Sequence, residues 1–370
     1  MHPQPTRLIS LDQFRGYTVA GMFFVNFLGG FAAIPEIFNH HGTYCSMADT
    51  IMPQFFFAVG FAYRLTFLRT LKKLGAWVAY RHAVKRNLGL LLLGLVFYNL
   101  DGGVKQWSEL QQLGIWGFLS TSFRSAPFEA LVHIALASLW ILPVIAARPG
   151  IRVAFLIASG AAHLWLSHAF YFTWGQNASI IDGGPLGFMS WSIPTLMGTF
   201  AYDVLAAKGP RKSIAPLLVW SVIVMAFGYA LSCINAIHHT QIGDAPAAGL
   251  WRWFVEPPFM PPSRPTDMWT MNQMAGTVSY MVFGAGFSLA VYVFFLAACD
   301  LANLTLGLFR TFGTNALAAY VIHTTVGQAV SPFVPHDSPL WYALFGFGVF
   351  IGIIYLFVRH LEKHGIFLRL

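Results

Sequence analysis

The chain has 370 residues, of which 56% are hydrophobic, 16% aromatic and only 10% charged, with 35 Phe, whereas soluble domains carry roughly 25% charged residues. A mean hydropathy of +0.61 with apolar runs of about 20 residues points to an all-α, polytopic transmembrane bundle and argues against a β-barrel, whose short strands alternate in polarity. The net charge of +8 is accounted for by membrane orientation and gives no reason to invoke a nucleic-acid partner.

In chain order, about ten spans can be marked: 17–35, 50–70, 86–100, 127–147, 151–172, 187–206, 213–234, 275–299, 312–333 and 339–358. The basic residues test that count, because cytoplasmic loops carry an excess of Lys and Arg. With the N-terminus inside, all of the 22 Lys and Arg fall on cytoplasmic segments except Lys105, Arg124, Arg252 and Arg264. Ten spans with both termini cytoplasmic is therefore the expected topology. The first apolar segment lacks a small-residue cleavage site and is expected to stay as an anchor. No linker divides the chain, so residues 1–370 read as one integral-membrane domain.

Two outward segments stand apart. From Asp101 to Ala126, Trp107, Leu110, Leu113 and Trp116 recur at helical spacing, as expected of an interfacial helix. From Asn235 to Met274 the chain contains EPPFMPPSRP, which cannot be helical and is expected to cover the outer face, as a lid or as a plain extended loop. Cys45, Cys233 and Cys299 have no metal-ligand spacing; Cys45 and Cys233 both lie near outward ends, where a disulfide could form.

Ionisable groups at membrane depth mark function by default, and here the polar positions gather at outward helix ends: Asn26, His40, His41, Asp49, His168, Asp182, Asn272 and His323. His40 or His41 could pass a proton or attack an acyl group, with Asp49 orienting the imidazole; as ordinary loop residues they would do neither. Asn26 could donate to an oxyanion or join two helices. Asp182 could cap the sixth span or bind an acceptor. His163 and His168 are five apart and do not share a helix face, and His238–His239 reads as an exposed loop pair, so no metal is predicted. Serine-hydrolase, zinc-protease and P-loop motifs are missing from the sequence.

Four segments, RLISLDQFRG, MFFVNFLGG, NHHGTYCSMAD and MPQFFFAVG, occur in the order that opens the heparan-alpha-glucosaminide N-acetyltransferase family, which this chain resembles. Ala48-Asp49 and Pro53 match that family's motif, while Asn39 stands where its histidine falls, so His40 or His41 takes the role. Asn26 matches the family's asparagine. Further on, IDGGPLGFMSW resembles the family's acidic turn, with Asp182 keeping its charge. TMNQMAGTVSYMV resembles an Asn-then-Ser-Tyr motif through Asn272, Ser279 and Tyr280, with Gln273 and Gly276 replacing a lysine and a tryptophan. FGTNALAAYVIH keeps Asn315, Tyr320 and His323, of which Asn315 and His323 could share a helix face.

The resemblance implies a membrane acyltransferase that takes acetyl-coenzyme A from the cytoplasm and acetylates a sugar amine or hydroxyl at the outer face; the expected location is an integral, multi-pass one, in the cytoplasmic (inner) membrane if the source is bacterial. Catalysis falls to His40, His41, Asp49 and Asn26, and acceptor binding to Asp182, Asn272, Asn315 and His323. Arg15, Arg81, Lys85 and Arg86 are the candidates for the coenzyme A phosphates, although positive-inside topology and anionic lipid alone also explain a basic loop. The donor arm would thread a passage lined by small residues, for which Gly29, Gly30, Gly60, Gly284, Gly286 and Gly313 are available. The implied partners are a glycan acceptor and the bilayer, with room for a homo-oligomer. The rival readings are a transporter or flippase of a lipid-linked sugar, which calls for repeat symmetry that the sequence lacks, and a non-catalytic protein of the same fold.

Overall fold

The computed structural model describes residues 8–98, 104–122, 128–242 and 252–368. Arg7, Arg124 and Arg369, with parts of both unusual outward segments, lie outside them. The described residues contain helices and no strand: α1 Ile9–Leu28, α2 Ile51–Leu74, α3 Ala76–Phe97, α4 Trp107–Ser122, α5 Ala130–Ile141, α6 Pro149–Leu166, α7 Phe172–Ala178, α8 Gly187–Ser232, α9 Ile234–Ile242, α10 Val278–Phe295, α11 Gly307–Thr314, α12 Ala316–Val330 and α13 Leu340–Lys363. Five helical stretches are long and apolar enough to cross a membrane: Ala48–Leu74, Pro149–Ala178, Gly184–His239, Val278–Leu301 and Leu340–Lys363.

The longest of these exceeds any bilayer, and α8 is in fact two helices joined at Gly209, whose φ of 73° no helix residue adopts and which precedes Pro210. α1 begins eight residues before the expected position and stops at Leu28, not at 35. Its first turns look polar because of Asp12, Gln13 and Arg15, yet they bury Leu11 and Phe14 against α10 and the π-helical turn that follows it. α3 likewise starts ten residues early. The ninth expected span is broken at Asn315, where φ −132° and ψ 48° separate α11 from α12.

α8 packs most extensively on α10 and on α2, and α1 on α11. Glycine makes these contacts close: a Cβ at Gly60 would stand 1.8 Å from the Thr195 carbonyl oxygen, one at Gly313 1.8 Å from that of Asp12, and one at Gly286 2.6 Å from the Met225 nitrogen. Gly284 lies equally tight against Pro53. Gly60, Gly313 and Gly286 therefore bring helix backbones together and Gly284 seats the Pro53 ring, so these four do not line a passage, contrary to the expectation for the donor arm. Large apolar side chains instead face outward, Leu92 at 64%, Trp220 at 56% and Leu356 at 68% exposure, as suits helices whose solvent is lipid.

Charge also joins α2, α6 and α8. Asp203 accepts from Arg64 Nε at 2.9 Å and Nη2 at 3.1 Å, and pairs with Arg152, which also donates to Thr199 at 2.6 Å. Arg64 lies roughly 22 Å along α2 from Asp49, so this cluster is well separated from the His40 loop. The segment expected at the interface forms α4, bent at Gly114, with Trp107 and Trp116 exposed. Cys45, Cys233 and Cys299 are free thiols, so Cys45 and Cys233 are not bridged.

Candidate functional site

The loop from Gly29 to Thr50 enters α2 through a short 3₁₀ turn at Ala48–Thr50. Ser46 and Asp49 fasten that entry reciprocally: the Ser46 N–H donates to Asp49 Oδ2 at 2.8 Å, and the Asp49 N–H to Ser46 Oγ at 3.3 Å. This is capping-box chemistry with aspartate in the acidic position. It leaves Asp49 Oδ1 free to accept from His40 Nδ1 at 2.7 Å, a length typical of a charge-assisted bond. Asp49 is completely buried, while the His40 side chain is 35% exposed.

That asymmetry sets the chemistry. A carboxylate only accepts, so Asp49 holds the proton of the neutral imidazole on Nδ1 and turns Nε2 outward as a base. Nε2 makes no hydrogen bond among the described residues. Partial burial opposes charge on His40, but the hydrogen bond and charge of Asp49, and more distantly Asp182, outweigh it and raise its pKa above the ordinary histidine value. His41, by contrast, points its Nε2 at the Glu36 carbonyl oxygen at 2.8 Å and stacks on Tyr44 at 4.4 Å. The structure thus separates two histidines that the sequence left equivalent.

Asp49 is also tied to Asp182. The Tyr280 hydroxyl, at the start of α10, donates to the Asp49 carbonyl oxygen at 2.7 Å and lies 3.3 Å from Gln273 Oε1; Gln273 Nε2 donates to Asp182 Oδ1 at 2.8 Å. Trp191 Nε1 holds the Asp182 carbonyl oxygen at 2.7 Å. Asp182 does not cap α8, which begins five residues later without a side-chain cap; its φ of 53° places it in a tight turn that Asp tolerates. Burial is the first cause that raises its pKa, to about 6, with Gln273 and His40 opposing and Asp49 reinforcing. Gly276 (φ 61°) rests against Gly183, where a Cβ would meet the Gly183 Cα at 2.7 Å, so no tryptophan could stand there.

Asn272 Nδ2 donates to the Gly42 carbonyl oxygen, pinning the histidine loop from outside. The proline-dense segment reaches the same loop through the Phe259 N–H, 2.9 Å from the Cys45 carbonyl oxygen, so it does cover this face.

Other expected residues lie elsewhere. Asn26 is exposed on α1 and joins none of these bonds. Asn315 is buried where α11 meets α12, donating to the Ile366 carbonyl oxygen at 3.0 Å and accepting the Leu368 N–H at 3.1 Å. It therefore anchors the C-terminal segment and precedes α12, so it cannot share a face of that helix with His323. His323 bonds the Tyr320 carbonyl oxygen and stacks on Phe23 at 5.4 Å; Tyr320 in turn meets the Tyr98 hydroxyl. His168 is exposed. Of the basic candidates, Arg86 packs over the Tyr63 ring at 5.9 Å, within reach of the charge of Arg15. Arg81 and Lys85 are exposed on the side of α3 that carries Trp77, Leu88 and Leu92.

Ser46, Gln273, Tyr98 and Tyr320 were not singled out as site residues from the sequence. Ser46-Met47-Ala48-Asp49 carried a readable capping signal, whereas Tyr98 and Tyr320 are 222 residues apart and share no local pattern. No protein-family model matches the chain, and no curated protein matches it.

Proposed function

We propose that this protein is a multi-pass membrane acyltransferase of the kind it resembles, moving an acetyl or other acyl group from a cytosolic acyl-coenzyme A to a sugar amine or hydroxyl on the outer face. The observation that carries the reading is the His40–Asp49 pair, a buried carboxylate bonded to an imidazole whose second nitrogen is open. In this reading His40 Nε2 takes the proton of the acceptor as its nitrogen or oxygen attacks the thioester carbon. The tetrahedral adduct then expels the coenzyme A thiolate, which receives that proton from His40, so atoms and charge balance without a covalent enzyme intermediate. Asp182, carried on the same hydrogen-bonded network, is the group placed to accept from the acceptor's amine or hydroxyls.

The reading includes ten spans, cytoplasmic termini and, if the source is bacterial, an inner-membrane location. It is supported by helix within every expected span and by the inward bias of Lys and Arg. Arg15 and Arg86 are the better candidates for the donor phosphates, since Arg81 and Lys85 face the direction of lipid headgroups.

The test is transfer of radiolabelled acetyl from acetyl-coenzyme A to a panel of amino sugars by protein reconstituted in vesicles. Label should enter an acceptor with native protein and with His41→Ala. It should fall about 10²- to 10⁴-fold with His40→Ala. Full transfer by His40→Ala would remove this mechanism, and absence of transfer by folded native protein from any acyl thioester would remove the function.

A further inference from the structure

A second cluster lies in the described residues apart from the His40 network. α9 presents His238 and His239 to Asp267, at the start of the segment that leads into Asn272 and Gln273. His238 Nδ1 stands 3.3 Å from Asp267 Oδ2, and His239 Nε2 stands 3.9 Å from the same oxygen. The three ligand atoms all lie within 4.8 Å of one another.

Asp267 is rigidly aimed. Its Oδ1 accepts the Trp269 N–H at 2.9 Å, the Thr270 N–H at 3.2 Å and the Thr270 hydroxyl at 3.4 Å. Asn235, on the same short helix as the histidines, donates to the Pro265 carbonyl oxygen at 3.0 Å and ties the two segments together. Oδ2 is left buried with no hydrogen-bond donor among the described residues, a state that costs free energy unless a cation or donor meets it. The histidines do not meet it as donors: neither His238 Nδ1 at 3.3 Å nor His239 Nε2 at 3.9 Å makes a hydrogen bond to it. The His238 distance matches a different geometry, since two ligands about 2.0–2.1 Å from a tetrahedral ion are separated by about 3.3 Å, and His239 stands a few tenths of an ångström outside that spacing.

We infer that His238 Nδ1, His239 Nε2 and Asp267 Oδ2 form a binding site for a divalent transition-metal ion of the zinc class. Two imidazoles and a carboxylate suit zinc, cobalt or nickel better than calcium or magnesium, which take all-oxygen shells. The His238 side chain is 57% exposed while His239 and Asp267 are at 12% and 15%, so the site opens to solvent on one side, where a fourth ligand enters. The sequence did not suggest this site, since adjacent histidines have no ligand spacing on a helix and Asp267 is nearly thirty residues away.

The experiment uses full-length, tag-free protein in detergent, stripped with chelator, titrated with zinc chloride by calorimetry and with cobalt chloride by visible absorption. The expected result is one saturable zinc per chain, intense d–d bands with cobalt, and a thermal midpoint raised by zinc. Affinity should drop at least about tenfold in His239→Ala and in Asp267→Asn. The second variant keeps the Oδ1 bonds, so it remains folded, and exposed His238→Ala supplies a third variant. His40→Ala should bind zinc normally. No saturable uptake at millimolar zinc, unchanged affinity in the folded Asp267→Asn and His238→Ala proteins, or loss of binding in His40→Ala would each overturn the site.

Discussion

Replacing Asp49 with asparagine isolates the chemistry of the pair from its architecture. The substitution is isosteric, and the fixed Ser46 N–H, 2.8 Å from Oδ2, selects the amide oxygen for that position. The amide nitrogen must then face His40 Nδ1 across the 2.7 Å that Asp49 Oδ1 now spans. An amide N–H donates, so Nδ1 must accept and the imidazole proton moves to Nε2, the atom that has to act as base. The wrong tautomer and the lost carboxylate charge together should lower turnover by about 10³- to 10⁴-fold, with acceptor KM nearly unchanged. Single-turnover acyl transfer measures the loss, and nitrogen-15 imidazole spectra report the tautomer directly. In the native protein turnover should rise with pH through the raised pKa of His40, so that its acid limb lies above the ordinary histidine range. A folded Asp49→Asn protein that keeps more than about a tenth of native turnover, or whose His40 remains protonated on Nδ1, would refute the argument.

Asp182→Asn should stabilise the protein at neutral pH. The native carboxyl is raised from 3.8 to about 6, so folded protein binds the extra proton between those values and stability falls as pH rises through that window. The variant should gain roughly 3 kcal/mol above pH 6 and nothing below pH 4, read from thermal or denaturant unfolding at both pH values. Gly313→Ala would put a Cβ 1.8 Å from the Asp12 carbonyl oxygen; α1 and α11 must separate, with an expected loss of about 3 kcal/mol or more in the same assay. Asn272→Ala removes the bond to the Gly42 carbonyl oxygen and the one its Oδ1 accepts from the Ala275 N–H at 3.2 Å; stability should fall by about 1–3 kcal/mol, and in the protein that remains folded the loosened His40 loop should cost on the order of 10- to 10²-fold in turnover, measured by acyl transfer beside a melting curve.

Hydropathy and charge alone determined the helical class and the helix within each expected span, because a chain in lipid must satisfy its backbone internally and advertises each span as an apolar run; α9, by contrast, runs through His238 and His239, which were expected in an exposed loop. The break at Gly209-Pro210 and the Ser46-to-Asp49 cap were legible for the same reason: both are local, written in residues a few positions apart. Helix starts were misjudged where Asp12 and Arg15 made α1 look polar, since the sequence does not reveal that neighbouring helices cover the intervening apolar face. The choice between His40 and His41 could not come from sequence, as adjacent loop residues have no periodicity. It was decided by which imidazole reaches Asp49 once α2 begins. Gly60 and Gly313, expected to line a passage, proved to be helix contacts only once the facing carbonyl oxygens were located. Tyr98 and Tyr320, the Gln273 bridge to Asp182, and the His238–His239–Asp267 cluster all join segments distant in the chain. Such encounters depend on how α8, α9 and α10 fold back on one another, so they belong to the tertiary structure alone.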